Sequence, residues 1–247
     1  MRARRAIRIV GTVMTVVGVA VLVWVIVVWR WQDPFTALYT HWKQHQLARS
    51  YNHLYAAYRP ATFGPGTASL AAIERTIARE ARLYRRDAHR GQAIGRIKVP
   101  RLGLNMILVN GTDHDSLTKG PGRDLVTYMP GQGKLVYIAG HRTTYLAPFA
   151  HIEKLRFGDF VMLEVPYGTF RYRVYKERIV RADDLSVLHT PTQGGEIVEL
   201  QACHPRFFAS HRYIAYGRLV RVEPRSGQAF TPPTNALAAP PGVAAKS

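Results

Sequence analysis

The sequence predicts an all-β domain, a closed barrel or a sandwich, set behind one membrane-spanning helix and a helical stalk. Three observations lead there. Seven short runs between Ala93 and Pro224 alternate apolar and polar side chains, separated by Gly, Pro, Asp and Thr clusters and without helical patterns of comparable strength between them. Ahead of them, Ile9 to Trp29 supplies 21 residues without a charge. Between these two regions the apolar residues recur at three- and four-residue steps, the period of a helix. With 247 residues, 47% of them hydrophobic, the chain is large enough for a real core.

Taken in order, residues 1–8 carry four arginines (Arg2, Arg4, Arg5, Arg8), and residues 9–29 match the ~20 apolar residues that cross a bilayer as a helix. A cleavable signal peptide would have an apolar region of only ~7–15 residues and a small-residue cleavage site. Here the run ends instead in bulky Trp29, Arg30 and Trp31. The arginine-rich flank belongs in the cytoplasm by the positive-inside rule. The expectation is therefore a single-pass protein of the cell membrane with everything after Trp31 outside. Lys+Arg 34 against Asp+Glu 16, a net +18, calls for an anionic neighbourhood. Outside the cell that means lipid or acidic wall polymer, not nucleic acid.

Residues 30–91 read as a stalk or linker. Phe35, Leu38, Tyr39, Trp42, Tyr51, Leu54, Tyr55 and Tyr58 recur as one face of a helix would, a pattern that Pro60 and the Gly64–Gly66 segment interrupt. A second runs from Ser69 to about Ala88, with Leu70, Ile73, Ile77, Ala81 and Tyr84 on one side and Arg75, Arg79, Arg82 and Arg86 near another, read as a solvated face. Residues 92–223 form the β domain. Residues 224–247 are Pro- and Ala-rich, with too few large apolar side chains to pack, and are expected to be disordered.

The single cysteine, Cys203, ends the strand pattern "EIVELQAC" just before Pro205. An unpaired thiol outside the cell is either a small buried apolar residue or a reactive group. Nucleophilic chemistry would need a base or imidazolium and donors for an oxyanion. His141 ends another strand pattern, "KLVYIAGHR"; His204 and His211 are nearer in sequence and stay open as rivals. Arg212 opens the last strand pattern nine residues after the cysteine and returns beside it if the two strands pair, with Arg206 its rival in the loop. An arginine there stays protonated and can donate to an oxyanion. No Cys-x-x-Cys, His-Glu-x-x-His, phosphate-binding Gly-rich loop or Gly-x-Ser-x-Gly elbow is present, so neither metal nor cofactor is expected.

Read together, "IAGHRTTYLAPFAHIEKLRFGDFV" and "ELQACHPRFFASHRYIAYGRLV", with "GRIKVPRLGL", "VNGTDHDSLTKGPG" and "MPGQGKLVYIAGHR" upstream, resemble the sortases, membrane-anchored cysteine transpeptidases of Gram-positive bacteria. The resemblance covers about Ala93 to Val222 and is greatest to class E, with classes D and F the alternatives. It implies a closed β-barrel of about seven to eight strands with short helices. It also implies that Cys203 is the nucleophile, His141 the general acid/base and Arg212 the residue that positions substrate and stabilises the oxyanion. The implied reaction cleaves a C-terminal Leu-x-x-Thr-Gly signal, Leu-Ala-x-Thr-Gly for class E, between Thr and Gly through a thioacyl intermediate. The implied partners are secreted proteins bearing that signal and, as acceptor, a peptidoglycan-precursor amine or a pilin lysine. Tyr128, just before "MPG", is the candidate for the pocket tyrosine linked to the Leu-Ala choice. One departure stands out: the family's usual Thr before the cysteine is Ala202, which puts a hydroxyl contact to substrate in question.

Two other readings compete. An L,D-transpeptidase would also use an exported cysteine in a β-rich domain, but calls for Ser-His-Gly-Cys where this chain has "LQACHP". A non-enzymatic wall-binding module would keep Cys203 only for packing.

Overall fold

The computed structural model describes residues 2–31, 34–62, 69–192 and 195–232. The two-residue alternation becomes strands with one face inside. In β5 (Phe160–Val165), Val161, Leu163 and Val165 are buried while their neighbours are half-exposed, and the first half of β6 (Gly168–Arg181) repeats the pattern. With β1 (Ala93–Val99), β2 (Leu104–Asn110), β3 (Gly122–Arg123), β4 (Leu135–Ala139), β7 (Ile197–His204) and β8 (His211–Pro224) they close into a barrel of order β1-β2-β3-β4-β7-β8-β6-β5. Closure leaves no sheet edge unpaired. Strand β3 escapes sequence reading because two residues show no period.

Most neighbours are antiparallel, but β4 and β7 run parallel, from Leu135 opposite Ile197 to Ala139 opposite Gln201. Their C-terminal ends therefore lie at the same end of the barrel. Val136, Ile138, Val198, Leu200 and Ala202 point into the main core, each fully buried. Tyr137, Ala139, Ile197, Ile214 and Tyr216 point outward and form a second cluster with Val187, under the short helical turn Leu185–His189.

Three helices precede the barrel: α1 (Arg2–Trp31), α2 (Pro34–Ala57) and α3 (Leu70–Asp87). Arg4–Val27 of α1, with mean hydropathy 2.6 and none of it buried, is long and apolar enough to cross a membrane. Ser69 caps α3, its hydroxyl accepting from Ala72 N–H at 3.3 Å, and Ile77, Ala81 and Tyr84 pack into the main core, leaving the arginines outward. The stalk helices are thus present, and both lie against the barrel. At the other terminus β8 continues to Pro224, and Phe230 exchanges two backbone bonds of 2.9 Å with Val222. Regular pairing thus reaches past the expected boundary at 223; the rest of the tail, 233–247, lies outside the described residues.

Candidate active site

Three strand ends converge. In the antiparallel β7–β8 pair, Cys203 stands opposite Arg212 and His204 opposite His211. In the parallel β4–β7 pair, Gly140 N–H still donates to Gln201 C=O at 3.0 Å, one step past the last strand residue. The next residue, His141, is then level with Cys203. Residue 140 has to be glycine, since an added Cβ would come 2.6 Å from the buried Phe149 ring. Phe149 in turn donates its N–H to the His141 carbonyl at 3.1 Å, tying the following loop back on the histidine.

The His141 imidazole is half-buried with the Tyr145 ring 5.0 Å away, and its Nε2 meets no hydrogen-bond partner among the described residues. Burial, and secondarily His114, holds it below the ordinary histidine value. It is therefore neutral at pH 7 and free to accept a proton. Cys203 is a free, half-buried thiol. Arg212 is half-buried, and its Nη1 donates to the Ala209 and His211 carbonyls at 2.7 and 3.0 Å.

Sequence reasoning missed Arg142. Its side chain is only 7% exposed, and one Nη donates to the Cys203 carbonyl at 3.1 Å and meets His204 Nδ1 at 3.0 Å. The other Nη donates to Glu153 at 2.7 Å. This clamp holds the backbone of the thiol-bearing residue to the loop after His141. It also engages the rival His204: the Arg142 bond uses the His204 Nδ1 lone pair, and burial followed by the Arg142 charge lowers its proton affinity. The signal was one residue from His141, in "GHR", but nothing in spacing shows that an arginine will turn inward.

Tyr128 is not brought to this end. It pairs with Leu135, at the opposite end of β4 from His141, and its ring lies between Arg85 and Lys134 at 4.5 and 4.6 Å. Ala202, fully buried, faces the barrel core and not the surface that carries Cys203. A threonine there would place its hydroxyl inside the core, so the departure removes no contact on the thiol's side. On that side, and on the same strand face as Cys203, lie Gln201, which accepts from Tyr137 OH at 2.9 Å, and Glu199. Glu199 is fully buried with no hydrogen bond to either carboxylate oxygen among the described residues, and burial pushes it up to about 7. The Thr190 hydroxyl, which donates to the Val187 carbonyl at 3.3 Å, and then the Arg178 and Lys176 charges are near enough to favour its ionised form in part.

Comparison with known proteins places the domain in a family. The family model described as the sortase domain matches residues 97–220. Sortase D of Bacillus subtilis (strain 168) is 35% identical over 133 residues, which are 53% of this chain and 65% of that protein. The chain thus spans less than two thirds of that relative. The solved structure of sortase E1 from Streptomyces coelicolor, with a tripeptide in its active site, is 28% identical with a TM-score of 0.51, covering 55% of this chain and 92% of that one. A Clostridium perfringens sortase D5 transpeptidase, 20% identical and so informative for the fold alone, superposes with a TM-score of 0.57 over 72% of this chain and 98% of its own. The domain match takes in the strand ends bearing His141, Cys203 and Arg212 and covers half of the sequence; the chain belongs to the sortase family.

Proposed function

We propose that this protein is a membrane-anchored cysteine transpeptidase acting on C-terminal Leu-x-x-Thr-Gly signals. The observation that carries the reading is the convergence of three strand ends, Cys203 opposite Arg212 and level with a half-buried His141 whose Nε2 has no partner among the described residues. Neutral His141 takes the thiol proton, and the Cys203 thiolate attacks the Thr carbonyl, giving a tetrahedral oxyanion near Arg212. Collapse of that intermediate breaks the Thr–Gly bond; the imidazolium returns its proton to the leaving amine and a thioester remains. An amine of a wall precursor or a pilin lysine then attacks the thioester, forming a new amide and releasing the thiol. Relatives named both sortase D and sortase E align here, and the class E reading favours Leu-Ala-x-Thr-Gly. The apolar α1 anchors the chain, with its arginine-rich start on the cytoplasmic side by the positive-inside rule.

A quenched-fluorescence peptide carrying Leu-Ala-x-Thr-Gly, beside its Leu-Pro counterpart, tests the proposal. Cys203→Ala should abolish turnover, and His141→Ala and Arg212→Ala should each lower it roughly 10²–10⁴-fold. Mass analysis should find threonine joined to an added amine. Undiminished cleavage by Cys203→Ala would sink the mechanism, while cross-linked stem peptides as product would point to an L,D-transpeptidase.

A further inference from the structure

Helix α2 carries its apolar residues on two different faces, and only one of them meets the barrel. In its second half Leu47, Ala48, Tyr51 and Tyr55 pack with Ala93 and Ile107, and Tyr51 donates its hydroxyl to the Glu164 carbonyl at 3.1 Å. In its first half the barrel-facing side chains are polar. Thr36 Oγ1 accepts from Tyr145 N–H at 3.1 Å, and Thr40, fully buried, donates to the Thr118 carbonyl at 2.8 Å. Gln44 donates to the Ile107 and Lys119 carbonyls at 3.1 and 2.7 Å. At 100° per residue these positions lie about 150° around the helix from Phe35, Leu38, Tyr39 and Trp42. Those four, at i, i+3, i+4 and i+7, are 71%, 71%, 42% and 53% exposed.

An outward apolar stripe on a helix already docked by its polar side needs a cover. Two features identify it. The stripe starts beside α1: the Phe35 ring lies 5.5 Å from Trp24, itself in the apolar span, so the two apolar surfaces are continuous. It also stops after two turns, where the same outer face becomes Arg49 and His53, both exposed. Lys43 sits at its margin, with Nζ 4.5 Å from the Trp42 ring. Aromatic rings with a flanking lysine, confined to the turns next to a span, match the chemistry of the boundary between headgroups and acyl chains.

We propose that Phe35, Leu38, Tyr39 and Trp42 insert into the outer surface of the bilayer, so that α2 lies as an interfacial helix between the membrane and the barrel. The proposal rests on α1 spanning the membrane. Its consequence is orientational. Through the Thr36–Tyr145 bond the same turn holds the loop that covers His141, which keeps the reactive end of the barrel at the lipid surface instead of at the end of a free stalk.

The test uses the full chain in vesicles of phosphatidylcholine and phosphatidylglycerol, with Trp24, Trp29 and Trp31 changed to Phe so that Trp42 is the one remaining indole. Flotation with the vesicles after alkaline washing first checks that α1 is inserted. Trp42 emission should then be quenched at least about twofold more by lipid brominated near the headgroup than by lipid brominated at the chain end, as expected for insertion ~5–10 Å deep. Floating protein whose Trp42 is unquenched overturns the proposal and spares the anchor; failure of the unreplaced chain to float overturns the anchor itself. Emission that is shifted to the blue, unquenched and dependent on protein density means that a second copy covers the stripe, and also overturns it. If the triple replacement fails to insert, a polarity-sensitive fluorophore on the Lys43→Cys, Cys203→Ser variant gives the same reading by the same lipids.

Discussion

Replacing Glu199 with glutamine should make the protein progressively more stable than wild type as the pH rises from about 4.5 to 8. The side chain is fully exposed to water only when the chain unfolds; in the barrel it is buried on the outward face of β7, with no hydrogen bond among the described residues. Burial moves its carboxyl from 4.5 up to about 7. Between those values the unfolded chain has lost the proton and the folded chain keeps it. Stability therefore falls as the pH rises through this window and levels off above about 7. The gap of about 2.5 pH units, at about 1.4 kcal/mol each, amounts to about 3 kcal/mol. Glutamine cannot ionise, and its own burial cost does not vary with pH. Glu196 titrates in the same window, also pushed up to about 7 first by burial, but contributes equally to both proteins and cancels in the difference. Urea unfolding of the detergent-solubilised full chain, followed by near-ultraviolet circular dichroism, reads the tyrosines packed around the barrel. The expected result is a stability difference that grows by about 3 kcal/mol from pH 4.5 to 8. Parallel curves for the two proteins would refute the burial of a protonated carboxyl beside the candidate site.

Two further outcomes follow from the geometry around Cys203. Arg142→Gln removes the donors to the Cys203 carbonyl and to Glu153; with Glu153 partly solvated, the stability loss should be only about 1–3 kcal/mol, while peptide turnover falls roughly 10–100-fold at little-changed KM. Melting temperature and steady-state kinetics measured together check it. Ala202→Thr, although it restores the residue more usual before the nucleophile in this family, inserts two heavy atoms into a filled core. It should cost about 1–3 kcal/mol by thermal unfolding and leave turnover per folded molecule unchanged.

What could be read from the sequence was whatever is periodic or punctuated. The alternation of Val161, Leu163 and Val165, the uncharged run from Ile9 and the proline after Cys203 each report a local preference that the fold keeps. The pairing of Cys203 with Arg212 was also within reach, because a short loop between two strands sets their register. Less accessible were features that depend on which way a side chain turns once distant segments meet. The aromatic residues of α2 recur at helical steps throughout, yet Phe35 to Trp42 face away from the barrel while Tyr51 and Tyr55 face it, because Thr36, Thr40 and Gln44 bond to loop carbonyls that local sequence does not reveal. Arg142 is the same case in one residue, a charge buried because Glu153 and two groups of the Cys203–His204 segment are there to receive it.

Strand alternation then divides the work at the end of β7. Residues 198, 200 and 202 serve the core, and 199, 201 and 203 face the outer cluster. Selection on the barrel's packing can therefore act on Ala202 without touching the chemistry one residue later. Exchanges at Glu199 and Gln201 act on the outer cluster without loosening the main core. For the same reason a motif that counts 202 and 203 as one unit merges two different physical demands. Peptide turnover in this chain should consequently respond to exchanges at half-exposed Gln201, on the face of Cys203, more than to any at 202.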